Sequence, residues 1–280
     1  ADPSSMRDVE AKQLPKAVRA IILYPMNALV EDQLIRMRRA LDSDEAHLEM
    51  DRHFGGNRIF FGRYTSATPV TGWQKHPRLR DAKEKKRAAR KASELQNALN
   101  KLDETYDAAS GQGDDSLRFN FPRMPGAEMV SRWDMQRHPP DILITNTSML
   151  STMLVREVEE PIFEQTRSWI ESDPDAYFYL VMDELHLQRG TAGTEVCYLL
   201  RNLLHRLGLD KEANRHKLRV LASSASLPME GALREQSLEY LWGMFGESGL
   251  PAGAGRDAWE QSVVQGDVDK PASRRFTGRL

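Results

Sequence analysis

Five short apolar runs, each ending in polar residues, set the architecture open to this chain. They are Ala20–Tyr24 (AIILY), Arg58–Phe61 (RIFF), Asp141–Thr145 (DILIT), Tyr177–Met182 (YFYLVM) and Leu218–Ala222 (LRVLA). Their length and apolar continuity predict strands buried on both faces. The stretches between them carry apolar residues at helical spacing. Asn27–Leu41 has Leu29, Val30, Leu34, Met37 and Leu41, and Thr194–Leu207 has Val196, Leu199, Leu200, Leu203, Leu204 and Leu207. Leu233–Phe245 reads as a further helix, with Leu238, Leu241 and Trp242 available for packing. Strands alternating with amphipathic helices predict an α/β fold, a parallel sheet flanked by helices. In such sheets ligands sit at the C-terminal ends of the strands.

Bulk properties narrow the classes. The chain has 280 residues and a net charge of −2, so any surface for a polyanion must be local. A single cysteine, Cys197, excludes a disulfide framework and fits a reducing cytosol. No apolar run approaches the roughly 18 residues that a membrane span needs, so a cytoplasmic protein without a membrane partner is expected. Residues 1–16 read as a tail, the first five (ADPSS) as a disordered or vector-derived leader. Residues 266–280 read as an exit linker after the Gly-rich Pro251–Gly255.

One stretch breaks the alternation. Residues 74–101 are helix-prone, strongly basic and poor in apolar residues; Asp103–Asp115 is acidic, contains glycine and reads as a loop. Residues 73–121 are therefore expected to be an insertion between core elements. It is either a solvated surface helix pair or a basic arm that touches phosphate backbone.

Chemistry concentrates where strands end. The run YFYLVMDELHL ends in Asp183, Glu184, Leu185 and His186. Two adjacent carboxylates at such an edge suit phosphoryl chemistry: one holds a metal-bound water on a nucleotide phosphate, and the other positions or deprotonates the attacking water. Acidic pairs are common, and the bland reading is an exposed strand-end pair. Other strand ends carry small polar residues in a fixed order. LYPMNALVEDQL places Pro25 at a strand end and Asn27 as a potential helix cap. FGRYTSATP holds Arg63 and Thr65, DILITNTSML holds Thr145 and Asn146, and LASSASL holds Ser223, Ser224 and Ser226. One hydroxyl cluster is more often a turn or cap than a site. Several at the ends of one sheet form a polar ledge that can hold a sugar-phosphate backbone without reading bases. A His-Glu-x-x-His zinc motif and a Gly-x-Ser-x-Gly elbow are both absent from the sequence.

In this order, YPMNALVEDQ, GRYTSAT, DILITNTSML, VMDELH and SSAS resemble motifs Ia, Ib, Ic, II and III of the first RecA-like motor domain of superfamily 2 DEAD/DEAH-box helicases. The resemblance runs from about Ala17 to Leu227, weakly again at Trp259–Gly266, and implies a partial RecA-like domain over residues 17–265. DELHLQRGTAGTEVCYLLRNLLHRLG is similar to the Lhr-like and related large bacterial DNA helicases, some of which serve in phage defence. The resemblance implies ATP and Mg²⁺ as cofactors, with Asp183 holding the metal through water and Glu184 orienting the hydrolytic water. It implies that His186 couples the nucleotide state to Ser224, Ala225 and Ser226, where Ser226 stands for the family's threonine. Pro25, Asn27, Thr65, Thr145 and Asn146 would line the nucleic-acid track, with Arg63 and Arg132 as phosphate contacts or ordinary surface charge.

The departures are as informative. The family's Gly-x-x-x-x-Gly-Lys-Thr/Ser loop should precede YPMNAL, yet no Gly-Lys pair occurs anywhere in these 280 residues. The adenine-recognition segment and the second RecA-like domain with its arginine finger are also missing from them. The expectation is a piece of an ATP-dependent DNA helicase or translocase whose remaining domains, or a partner chain, supply the loop. Alone it should bind Mg–ATP weakly and not turn it over. The competing readings are a non-catalytic nucleic-acid or protein-interaction module built on a helicase domain, and an RNA helicase fragment. Single-stranded or duplex DNA is the expected partner, with RNA possible.

Overall fold

The structure, a computed structural model, describes residues 14–25, 27–75, 81–111, 116–188, 190–224, 227–246, 249–250 and 253–264. Its centre is a five-stranded, wholly parallel sheet of order β2-β3-β1-β4-β5. The strands are β1 (Ala20–Tyr24), β2 (Phe61–Arg63), β3 (Ile142–Asn146), β4 (Phe178–Met182) and β5 (Leu218–Ala222). Helices flank the sheet: α1 (Asn27–Leu41), α2 (Asp44–Phe54), α3 (Ala82–Ser110), α4 (Arg132–Arg137), α5 (Thr147–Val155), α6 (Glu160–Ser172), α7 (Gly190–Arg206), α8 (Arg234–Phe245) and α9 (Arg256–Ser262). The expected α/β parallel sheet flanked by helices is thus the observed fold, and it is consistent with a RecA-like domain. Among the described residues no helix is long and apolar enough to cross a membrane.

The period-two alternation of the strands divides the core in two. Ile21, Leu23, Leu143, Phe178, Leu180, Met182 and Leu218 enter one large cluster with α5, α6, α7 and α8. Ile22, Tyr24, Phe61, Ile142 and Ile144 face the other way, onto Val30 and Leu34 of α1. Among the described residues this second face is covered only over β2, β3 and β1. Farther along it Tyr179 is 41% and Leu221 55% exposed.

Two local expectations need correction. The second strand was expected at 58–61 and lies at Phe61–Arg63, because Gly62 and Arg63 extend the ladder instead of ending it. Gly62 sits where a Cβ would come within 2.6 Å of Met135 Sδ and 3.0 Å of Met129 O, so only glycine lets the segment behind pack so closely. The expected helix pair with an acidic loop is instead one 29-residue helix, α3, whose last turns include Asp103, Glu104 and Asp107. Leu95 and Ala109 are its buried residues and lie fourteen positions, four helical turns, apart on one face, so packing carries the helix through the acidic stretch. The linker at residues 266–280 lies outside the described residues.

Candidate active site

Parallel register brings the strand ends level. Leu23 of β1 pairs with Met182 of β4 and with Thr145 of β3, and Met182 pairs with Ala222 of β5. One residue on, Tyr24, Asn146, Asp183 and Ser223 therefore stand along one edge.

Asp183 is held from both sides. Its N–H donates to Leu23 O at 3.1 Å, and its Oδ1 accepts the Ser223 hydroxyl. The same Oδ1 accepts the Glu184 N–H at 3.0 Å, which also points at Ser223 Oγ at 3.3 Å. Ser223 is locked in turn, donating its N–H to Met182 O and accepting from Leu185 N, both at 2.9 Å. Glu184 adopts φ 53°, ψ 45°, a left-handed conformation unusual for a side chain with a Cβ. Such a residue costs about 1–3 kcal/mol and persists only where its surroundings over-determine it. Here they do: the turn is clamped by Ser223 on one side and by Tyr240 on the other. The Tyr240 hydroxyl lies 2.8 Å from Gln188 O and 3.1 Å from Leu185 O. Gly193 completes the packing, because a Cβ there would meet Gln188 O at 2.3 Å. The consequence is a partly exposed Glu184 carboxylate aimed by a strained turn. His186 Nδ1 lies 3.1 Å from Glu184 Oε2 but is misaligned for a hydrogen bond. Across the edge, burial and then the Asp183 charge push the Tyr24 phenol above its ordinary range.

The remaining sequence candidates divide by exposure. Pro25 is half-buried at the end of β1, and α1 begins at Asn27, whose side chain lies outside the described residues. Asn146 is half-buried and caps α5, its Oδ1 accepting Met149 N at 2.7 Å. Arg63 pairs with Glu31 of α1. Ser224 carries a buried hydroxyl with no hydrogen-bond partner among the described residues, and Ala225 and Ser226 lie outside them. Thr65, Thr145 and Arg132 are buried, so their side chains have no surface to offer a backbone. Thr145 Oγ1 donates to Tyr64 O at 2.7 Å, and Arg132 donates to Thr65 O at 2.7 Å while stacking 5.2 Å over the Tyr64 ring. These three shape the ledge from beneath. The sequence pattern marked them by residue type and could not see that packing buries them.

Other participants are legible in the sequence only in part or not at all. Ser223, the nearest hydroxyl to Asp183, was marked only as part of a cluster, although its place one residue beyond β5 matches that of Asp183 beyond β4. Tyr240 carries no signal in the sequence, because helix α8 reaches the site only through packing. Beneath the ledge, the Tyr64 hydroxyl donates to Glu159 Oε1 at 2.8 Å and accepts from Gln136 Nε2 at 3.0 Å. Burial, then Glu159, pushes the Tyr64 phenol far above its usual range, and burial likewise raises Glu159.

One Asp183 oxygen outside the hydrogen bonds above fits a metal held through water. Among the described residues no group of three or more His, Cys, Asp or Glu side chains converges on one point. Asp183 uses only Oδ1 in the bonds above, leaving Oδ2 to accept from a metal-bound water.

The Druantia protein DruE of Escherichia coli (strain UMEA 4076-1) is 35% identical to this chain over 254 residues, a match that takes in 78% of the chain and 14% of DruE. The chain thus spans only 14% of the length of the curated relative it matches. No family model and no solved structure matches the chain.

Proposed function

We propose that this chain is the carboxylate-bearing part of an ATP-driven nucleic-acid motor, an Lhr-like or related superfamily 2 helicase of the defence type. The observation that carries the reading is the Asp183–Glu184 turn, strained and clamped at the C-terminal edge of a parallel sheet. A magnesium–nucleotide complex, when bound, supplies the electrophilic phosphorus. Asp183 would hold the metal through one of its waters, using the oxygen not engaged by Ser223 and Glu184. Glu184, aimed outward by its backbone, orients the attacking water and takes its proton. His186, beside the Glu184 carboxylate, senses the charge there. Ser223 joins Asp183 to the end of β5, so a shift in the 223–226 segment alters the carboxylate that holds the metal.

The phosphate-cradling loop belongs to the rest of the motor in this reading, and the great length of DruE beyond the matched part is compatible with that. The side of β5 left open among the described residues lies next to Ser223, where a further strand would bring its own C-terminal end beside Ser223, one strand removed from Asp183. Nucleic acid lies along the ledge formed by Pro25, Asn27, Arg63 and Asn146, with main-chain groups near Thr65 and Thr145 contributing.

The test is Glu184→Gln in the full-length protein. ATPase should fall by about a hundredfold or more while nucleic-acid binding persists. Retained ATPase would remove Glu184 from the mechanism. Calorimetry on the 280-residue chain should show no tight ATP binding; a low-micromolar dissociation constant would overturn the need for an external loop. Matched single-stranded DNA and RNA oligonucleotides decide the substrate.

A further inference from the structure

We propose that the first three turns of α3 are a rigid contact for a nucleic-acid backbone, extending the strand-end ledge outward from the sheet. The proposal rests on the nucleic-acid reading above.

Charge segregation is the first observation. Residues 81–91 hold six cations, Lys83, Lys85, Lys86, Arg87, Arg90 and Lys91, against Asp81 and Glu84. The rest of the helix, residues 92–110, holds Lys101 against Glu94, Asp103, Glu104 and Asp107. A helix that needed only solubility would mix the two signs along its length. Here the positive charge gathers at one end, in a chain whose net charge is −2. Lys83, Lys86, Arg87 and Arg90 share one face by their spacing, and all four are exposed. Among the described residues Lys83, Lys86 and Arg87 make no ion pair, and Arg90 meets only the exposed Glu94 at 3.0 Å. An exposed pair of that kind is worth at most about 1 kcal/mol and yields readily to a phosphate.

Anchoring is the second observation. The loop at residues 65–72 leaves the C-terminal end of β2, where the ledge lies. Lys91 Nζ reaches from α3 into that loop and donates to Thr71 O at 2.7 Å, with Thr71 Oγ1 at 3.1 Å. The same loop is fixed from behind, Gly72 O accepting Trp133 Nε1 at 2.8 Å and Pro69 O accepting Arg132 N at 3.2 Å. Between these anchors Val70 is held at φ 55°, a strained state for a β-branched residue. A cleft of about 370 Å³ between Pro69–Thr71 and Lys91, Glu94, Leu95 and Ala98 keeps the junction open to solvent. Burial, then the nearby Arg87, lowers the Lys91 ammonium below its usual range. Positive charge is thus crowded where helix and ledge meet, and a polyanion relieves it. Because the helix is tied down, binding there loses less conformational entropy than a free basic arm would.

The experiment measures binding of a labelled single-stranded oligothymidylate to the full-length protein across a salt series. In the variant Lys83→Gln/Lys86→Gln/Arg87→Gln/Arg90→Gln the slope of log K against log salt should fall by about 0.7 per lost phosphate contact, roughly 2–3 in all. At 0.1 M salt that corresponds to binding weaker by roughly a hundredfold or more. A matched variant neutralising Arg52, Arg167, Lys211 and Arg215 should keep the slope. An unchanged slope in the first variant overturns the contact and leaves the motor reading standing. Equal loss in both variants reduces the effect to overall charge and also overturns it. If the wild-type protein captures polyglutamate and not the oligonucleotide at low salt, the partner is an acidic peptide. The nucleic-acid reading and this contact then fall together.

Discussion

At the β2 edge of the sheet, Phe61 donates its N–H to Ala127 O at 3.1 Å and accepts from Met129 N at 2.7 Å. The segment at residues 127–129 closes that side, and Arg38 of α1 pins it through a buried ion pair with Glu128 at 2.5 Å. At the β5 edge the outward groups go unpaired among the described residues. Ser223 turns both its main-chain groups toward β4, so alternation turns those of Val220 and Ala222 outward. Among the described residues they meet no partner there. The faces differ in the same sense. Beneath β2, β3 and β1, helix α1 buries Phe61 and Ile144, whereas over β4 and β5 Tyr179 and Leu221 stay largely exposed. An open edge with an apolar face beside it is a liability that proteins normally cover. The contrast therefore separates a half whose edge and face are covered among the described residues from a half where they are not, and the carboxylates sit at the seam.

Amide hydrogen exchange should show the contrast most strongly. In the 280-residue chain the Met129 and Ile144 amides should exchange only through global opening, which typically costs about 5–15 kcal/mol, while Val220 and Ala222 exchange almost unprotected. In the full-length protein Val220 and Ala222 should gain protection. Free exchange at both would break the idea that a neighbour pairs with β5.

Core truncation comes next. Phe61→Ala removes a fully buried ring at the closed edge and should cost about 3–5 kcal/mol in denaturant unfolding. A cost near that of a surface change would mean that the closed edge contributes little.

A smaller effect follows from Glu159, whose carboxyl burial holds above its ordinary range. The sign is that of a raised acid: its contribution to stability is present below the unfolded value of about 4.3 and is lost as pH climbs through the raised folded value. Glu159→Gln should flatten that pH slope and leave the chain no less stable at neutral pH. A steeper slope, seen in melting temperature against pH, would contradict the burial effect. Smallest of all, Leu221→Lys on the open face should move the stability of the 280-residue chain by no more than about 0.5 kcal/mol. In the full-length protein the same substitution should lower stability or ATPase, and equal silence in both would argue that nothing packs there.

Much of this molecule is readable in its residues. AIILY and LRVLA became β1 and β5 without a shift in boundary, and Asn27–Leu41 became α1, because a strong local period and its burial point the same way. The second strand was misplaced because glycine there answers to Met129 and Met135, which lie far off in sequence. The acidic end of α3 was misread because turn-forming composition was outweighed by packing. At the site, Asp183, Glu184 and the hydroxyl at the end of β5 were visible as strand-end chemistry. Tyr240 and the burial of Thr65, Thr145 and Arg132 were not, because neither has a signature shorter than the fold.

The sequence by itself determined the alternation of strand and helix, and hence a parallel sheet with its acids at the C-terminal edge, since that pattern depends only on local period and side-chain type. Tertiary structure alone decided which edge is closed, which hydroxyl meets Asp183, and why Glu184 stands in a left-handed turn. Each of those depends on where residues tens to more than a hundred positions apart come to rest, and contact at that range is set by packing the whole core at once.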